Sequence, residues 1–322
     1  TTSVSGTKIW DDKENQDGKR PGSVTLKLYS KVKDGTEKEE KGATPTWRNT
    51  DKDVWNYSYT DLPKYEGGKE LIYRVEEVNV AEGYQSSQKD NDITNTHTPE
   101  VTEVSGTKTW NDGSNQDGKR PGSITLKLYK QVEGGEKTEV TDATPTWTDT
   151  DKDVWKYSYT NLSKYEGGKV ITYTVEETVV PEGYTKSQKG NNIVNTHTPE
   201  TTELKGTKTW EDGGNSDGKR PQTVILKLIK NVNETSTEMK NKPVWTNTSG
   251  NVWEYKYTDL PVYEGGKKII YTVEEVVPEG YSVSYNGTAI TNRYTPETTS
   301  VSGTKIWDDK ENQDGKRPGS VT

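Results

Sequence analysis

The chain has 322 residues, a net charge of -8, 26% hydrophobic residues and no Cys. The acidic balance disfavours nucleic acid as a partner, and the missing cysteines exclude disulfides, thiolate catalysis and thiolate metal sites together. No apolar run approaches the length of a transmembrane helix or a signal-peptide core, so the sequence reads as a mature, soluble fragment with no membrane insertion.

In chain order, Val4, Gly6, Lys8 and Trp10 alternate with Ser5, Thr7 and Ile9, which predicts a first strand. The segment DDKENQDGKRPG follows as a turn, and then Val24, Leu26 and Leu28 alternate with Thr25, Lys27 and Tyr29. Trp55, Tyr57 and Tyr59 alternate with Val54, Asn56 and Ser58. After the turn YEGGK, Leu71, Tyr73 and Val75 alternate with Ile72, Arg74 and Glu76, and Ile93 with Asn95 marks a last strand. The period is two throughout, the pattern of half-buried antiparallel strands, with Gly, Asp, Asn and Pro clusters as the turns. Aliphatic residues are sparse, so the ten Trp and nineteen Tyr must supply most of the burial. About seven short strands per repeat and no amphipathic helix predict an all-β, Ig-like sandwich.

The pattern recurs. VSGTKIWDDKENQDGKRPGSVTLKLY returns as VSGTKTWNDGSNQDGKRPGSITLKLY from Val104 and, more divergent, as LKGTKTWEDGGNSDGKRPQTVILKLI from Leu204. Residues 298–322 repeat residues 1–25 letter for letter. The expected organisation is three tandem domains, 1–100, 101–200 and 201–297, followed by the truncated start of a fourth at 298–322. THTPEVTE and THTPETTE read as short connectors between separate beads.

Strand parity singles out three residues per repeat. Lys8 falls on the apolar face between Gly6 and Trp10, and Lys108 and Lys208 fall likewise. Glu77 continues the inward series of Leu71, Tyr73 and Val75 while Glu76 points out; Glu177 and Glu275 follow the same rule. Asn95, Asn195 and Asn292 share the face of Ile93, Ile193 and Ile290. Isolated charges inside a sandwich would cost several kcal/mol each. Two readings are open. In one, the register is slipped and all three groups lie solvated at the rim. In the other, a lysine whose pKa is lowered by burial attacks the Asn side-chain carbonyl, and a protonated glutamate polarises that carbonyl and relays protons as ammonia leaves. The product amide is neutral.

The segment Tyr173-Thr-Val-Glu-Glu177-Thr178-Val-Val-Pro181-Glu-Gly183-Tyr184 resembles the E-box Y-x-L-x-E-T-x-A-P-x-G-Y of CnaB-type domains. The opening TKTW, the DGKRP loop and the closing NTHTP or TNRYTP are similar to the B-region repeats of Gram-positive collagen adhesins. This resemblance implies an inverse-type Ig-like fold, a cell-wall-anchored extracellular adhesin, and an intramolecular isopeptide bond from first to last strand. The implied bonds are Lys8–Asn95, Lys108–Asn195 and Lys208–Asn292, with Glu77, Glu177 and Glu275 as catalytic acids. Repeat 1 departs from the E-box at Val78 and Ala81, and repeat 3 is one residue shorter between Glu275 and Gly280; neither departure touches a reacting residue. In the partial fourth copy, Lys305 occupies the lysine position with no matching Glu or Asn, so it is expected to remain unpaired.

Other signals are weaker. The loop NDGSNQDGKRP faintly resembles a calcium loop, but Gly113 stands where the first Asp belongs and no Glu closes it; a solvated turn is expected. His97 and His197 stand beside the connectors with no second His or Cys nearby, and read as ligand-free. No cofactor, metal or folding partner is expected beyond neighbouring repeats in cis. Two function classes remain: a passive structural stalk, whose parent protein reaches host extracellular matrix through another region, or a module that binds a matrix protein or glycan directly. A binder should concentrate its differences in the loops of one domain. Repeats 1 and 2 are nearly alike, which favours the stalk, and repeat 3, with NVNETSTEMK, is where a binding face would be sought.

Overall fold

The computed structural model describes residues 1–322. In repeat 1 the strands are β1 (Thr2–Asp11), β2 (Thr25–Val32), β3 (Lys38–Glu39), β4 (Thr46–Arg48), β5 (Val54–Leu62), β6 (Tyr65–Glu66), β7 (Lys69–Val78), β8 (Gln85–Lys89) and β9 (Asp92–Thr96). They form a sandwich of a five-stranded sheet, β4-β5-β1-β9-β8, and a four-stranded sheet, β3-β2-β7-β6. The count exceeds the expected seven because pieces of two or three residues (β3, β4 and β6) pair briefly at the sheet edges. Such fragments are too short to show a period in sequence.

Repeat 2 builds the same five-plus-four arrangement, and repeat 3 keeps the five-stranded sheet while its second sheet divides into a three-stranded and a two-stranded piece. By internal packing the chain divides into two compact units, Thr1–Thr198 and Pro199–Thr322. The first holds the two sandwiches of repeats 1 and 2; the second holds the sandwich of repeat 3 and the segment after it. In that last segment, residues 298–307 form no strand, and Val301 and Ile306 stand exposed. The segment trails and does not add to a sheet edge.

β1 is central in its sheet, antiparallel to β5 and parallel to β9. Alternation sends Lys8 and Trp10 to the core, where Trp10, Trp55, Tyr57, Tyr59, Leu28, Val75 and Ile93 are buried. The aromatics meet edge to face: Trp10 and Trp55 lie 5.4 Å apart at 64° and Trp47 and Trp55 5.8 Å apart at 88°. Such edge contacts suit the ring quadrupole and add about 0.5–1.5 kcal/mol per pair beyond the area buried. This is how a chain poor in aliphatic residues fills a sandwich core. Gly6 is required by close approach, since a Cβ there would overlap the Asn91 carbonyl and the Tyr57 hydroxyl that donates to it; Gly106 and Gly206 stand in the same relation to Asn191 with Tyr157 and to Thr288 with Tyr255.

The DGKRP loop is not the solvated turn expected. Asp12 is 1% exposed; it accepts two bonds from the Arg20 guanidinium, at 3.0 and 2.5 Å, and one from the Tyr84 hydroxyl at 2.7 Å. Arg20 also binds Asp53 and stacks on Trp10. Asp112, Arg120 and Tyr184 repeat the arrangement, as do Asp212, Arg220 and Tyr281. His97 is not alone either: its Nδ1 lies 2.8 Å from the Gly83 carbonyl and its Nε2 2.9 Å from a buried Asp17 carboxylate. His197 has the same two neighbours in Gly183 and Asp117, and the Asp117 hydrogen bond raises its pKa.

Candidate crosslinking site

The three residues singled out by parity converge in each sandwich. Lys8 lies on β1 and Asn95 on the neighbouring parallel strand β9, where Lys8 pairs with Ile93 and Trp10 with Asn95. Lys8 and Asn95 are therefore two positions apart in register on the same inward face. Glu77 comes from β7 in the opposite sheet, opposite Leu26 of β2. The site thus bridges the two layers. Lys8 and Asn95 are 0% exposed, which excludes the rim reading. The side chain of Glu77 is 5% exposed, whereas that of Glu76 is 44% exposed and bound to Arg74.

The geometry repeats closely. Lys8 Nζ lies 3.7 Å from Glu77 Oε2, Lys108 Nζ 3.6 Å from Glu177 Oε2, and Lys208 Nζ 3.5 Å from Glu275 Oε2. On its other oxygen, each glutamate accepts from the Asn side-chain nitrogen: Asn95 at 2.9 Å, and Asn195 and Asn292 at 3.0 Å each. The glutamate therefore touches the nitrogen that would leave, not the carbonyl oxygen that sequence reasoning gave it. The Oδ1 atoms of Asn95, Asn195 and Asn292 have no hydrogen-bond partner, and neither does Lys108 Nζ. Each Nζ also sits over the ring of the following tryptophan, 4.3 Å from Trp10 and 4.2 Å from Trp110 and Trp210.

Burial sets the electrostatics. It outweighs the nearby glutamate and pulls Lys8, Lys108 and Lys208 down to about 8. Each lysine is thereby shifted toward the neutral amine relative to an ordinary lysine. Burial also raises Glu275, against the opposing pull of Lys208. In repeat 3, a lysine biased toward the neutral amine beside a carboxyl biased toward the acid is the protonation state that amide formation requires. Lys305 is different: it is exposed, and its Nζ lies 4.8 Å from the Trp307 ring with no carboxylate partner.

The Asp12–Arg20–Tyr84 cluster escaped the sequence reading. Its signal was present, since an Asp two residues after Trp10, Trp110, Trp210 and Trp307 and an Arg eight residues further on recur in every copy, including Asp309 and Arg317. Both residues sit in a polar, glycine-rich loop, which hid them among solvated charges.

Tandem Ig-like sandwiches that each bury a Lys, a Glu and an Asn between their two sheets define a class of β-modules. The sequence profile described as "Cna protein B-type domain" matches residues 4–96, 104–196, 204–293 and 301–322. The chain belongs to the Cna B-type domain family. It is 42% identical over its whole length to a collagen adhesin of Staphylococcus aureus, of which it spans 25%. Among solved structures, it is similar to two B repeat units of the collagen-binding protein of S. aureus, with 38% identity over 98% of this chain and 80% of that one and a TM-score of 0.44. It is also similar to a single B repeat unit of that protein, with 31% identity over 61% of this chain and all of that one and a TM-score of 0.23. Family membership places the chain in an extracellular, cell-wall-anchored surface-protein setting. No helix is long and apolar enough to cross a membrane.

Proposed function

We propose that the chain is a structural spacer of a bacterial surface adhesin, built of three domains (residues 1–100, 101–200 and 201–297), each closed by a self-formed Lys–Asn isopeptide bond. The observation behind this reading is the recurrence of a fully buried Lys and Asn joined through one glutamate in all three sandwiches. In each, the neutral Nζ attacks the Asn Cγ. Glutamate Oε2 takes a proton from Nζ, and Oε1 delivers one to Nδ2, which departs as ammonia. One C–N bond forms, one breaks, and the glutamate ends as it began. The reaction turns over once per domain, so the chain is not an enzyme toward outside substrates.

The spacer role follows from strand placement. β1 and β9 are adjacent and parallel, so tension between the two ends of a domain shears that pair. A bond from Lys8 to Asn95 carries the tension past the core. Closing a loop of this length would also add about 4–5 kcal/mol of stability by the chain-entropy estimate. Reach into host matrix is assigned to another part of the parent protein. Direct ligand binding finds less support, because the surface groove of about 520 Å³ beside Lys205, Thr207 and Lys256 in repeat 3 recurs as one of about 420 Å³ beside Ser105, Thr107 and Lys156 in repeat 2. A shared groove is not a private face.

Digestion of the denatured chain tests the chemistry. The peptide containing Lys108 should emerge as a branched pair with the peptide containing Asn195, lighter than their sum by one ammonia. Recovery of both as separate linear peptides would end the proposal.

A further inference from the structure

The Lys, Glu and Asn are the same in every repeat, but the residue that covers them is not. In repeat 1 the edge strand β8 runs beside β9, and Ser86 pairs with Asn95 in the ladder. The corresponding edge strands are Thr185–Lys189 in repeat 2 and Ser282–Asn286 in repeat 3. There the partner of Asn195 is Lys186 and the partner of Asn292 is Val283. Partners in a ladder send their side chains to the same face of a sheet, so each of these residues leans over the buried site from its rim. A hydroxyl, an ammonium and an apolar branch thus occupy one position around one set of reacting groups.

Each meets the glutamate differently. The Ser86 hydroxyl donates to Glu77 Oε2 at 3.2 Å. Lys186 donates instead to the Glu177 backbone carbonyl, at 2.7 Å. Val283 packs against the core of repeat 3 and has nothing to donate. The Oε2 atoms of Glu177 and Glu275 accordingly have no hydrogen-bond partner, while that of Glu77 has one. The next position on the same face of the edge strand does not make this difference. Gln88 and Gln188 donate to the Val75 and Val175 carbonyls, and the Tyr285 hydroxyl accepts from the Glu275 N–H, so all three bond backbone groups.

Oε2 is the oxygen that faces the lysine, 3.7 Å from Nζ in repeat 1 and 3.6 and 3.5 Å in repeats 2 and 3. Under the crosslinking reading, on which this inference rests, Oε2 takes the proton that Nζ sheds, Oε1 passes one to Nδ2, and ammonia leaves. In repeats 2 and 3 that oxygen is open to the incoming proton. In repeat 1 the Ser86 hydroxyl must first turn away. We propose that Ser86 is a positioning residue that slows crosslinking in repeat 1 by holding the Glu77 oxygen that has to accept the Lys8 proton. Repeat 1 closes last of the three, so a newly folded chain passes through a stage with repeats 2 and 3 locked and repeat 1 still extensible. The delay is about fivefold, the scale of one modest hydrogen bond given up at a carboxylate.

The full chain, recovered from inclusion bodies and held in denaturant, starts folding in all three repeats at once on dilution. Acid quenching at intervals, digestion and mass spectrometry then follow the branched Lys8–Asn95, Lys108–Asn195 and Lys208–Asn292 peptides separately. The Lys8–Asn95 peptide should accumulate about fivefold more slowly than the other two. Ser86 is exposed, so the position tolerates substitution. Ser86→Val should bring repeat 1 to the pace of repeat 3, whereas Ser86→Thr, with the shape of valine and the hydroxyl restored, should keep it slow. A purely structural role would follow side-chain shape and would not separate these two variants. Val283→Thr should in turn slow repeat 3 by a similar factor and leave repeats 1 and 2 unchanged. Equal or faster accumulation in repeat 1, or equal rates for Ser86→Val and Ser86→Thr, would overturn this inference and leave the crosslink standing. Linear peptides alone, in every repeat and at every time, would overturn the crosslink itself.

Discussion

Glu177→Gln is expected to leave repeat 2 folded but open, with one ammonia retained and a melting transition lowered on the order of 20–30 °C. Gln keeps the shape and can still accept from Asn195, but it cannot shuttle a proton between Lys108 Nζ and the departing nitrogen. What is lost is the crosslink, about 4–5 kcal/mol by loop closure, and for a domain of about a hundred residues each kcal/mol moves the midpoint by about 4–8 °C. Glu176→Gln is the matched control. Its side chain is 43% exposed and pairs with Lys137, an interaction worth about 0–1 kcal/mol, so it should alter neither the mass nor, by more than a few degrees, the melting. Differential scanning calorimetry with mass spectrometry on both variants reads the contrast. Equal behaviour of the two would mean that burial, and not proton relay, explains Glu177.

Single-molecule pulling should find repeats 1 to 3 almost inextensible between lysine and asparagine. Lys108→Met removes the nucleophile while keeping an apolar side chain of similar length, so that no unpaired ammonium is left in the core. It should restore one unfolding step, for repeat 2 alone. Releasing about a hundred residues at about 3.4 Å each lengthens the chain by about 300 Å after subtracting the folded width. Three such steps in the unaltered chain would refute the claim that tension bypasses the core.

The sandwich and the inward Lys, Glu and Asn were legible because one face of each strand is buried. Where that holds, a period of two leaves only one register that hides Trp10, Val75 and Ile93, and the same register carries Lys8, Glu77 and Asn95 inward. The local pattern could not show which atom of Asn95 the glutamate meets, since that depends on side-chain torsions set by the opposite sheet. Nor could it show partners far apart in sequence. Asp12 meets Tyr84 and Asp17 meets His97 across most of the repeat, and in a loop rich in Gly, Asp and Lys a buried carboxylate looks like a solvated one. The contact between repeats 1 and 2 was missed for the same reason: KYEGGK and QDGK each read as an ordinary turn until Gly18 and Gly168 are seen backbone to backbone, with the Gly168 N–H donating to the Gln16 carbonyl.

The central claim is covalent, and intact-mass spectrometry of the purified chain addresses it directly. Lys8–Asn95, Lys108–Asn195 and Lys208–Asn292 each expel one ammonia on forming, while Lys305, exposed and without a carboxylate partner, expels none. The account predicts a chain lighter than its sequence mass by three ammonia molecules. A mass equal to the sequence value would contradict it, because three buried Lys–Glu–Asn sets would then be ordinary unreacted core.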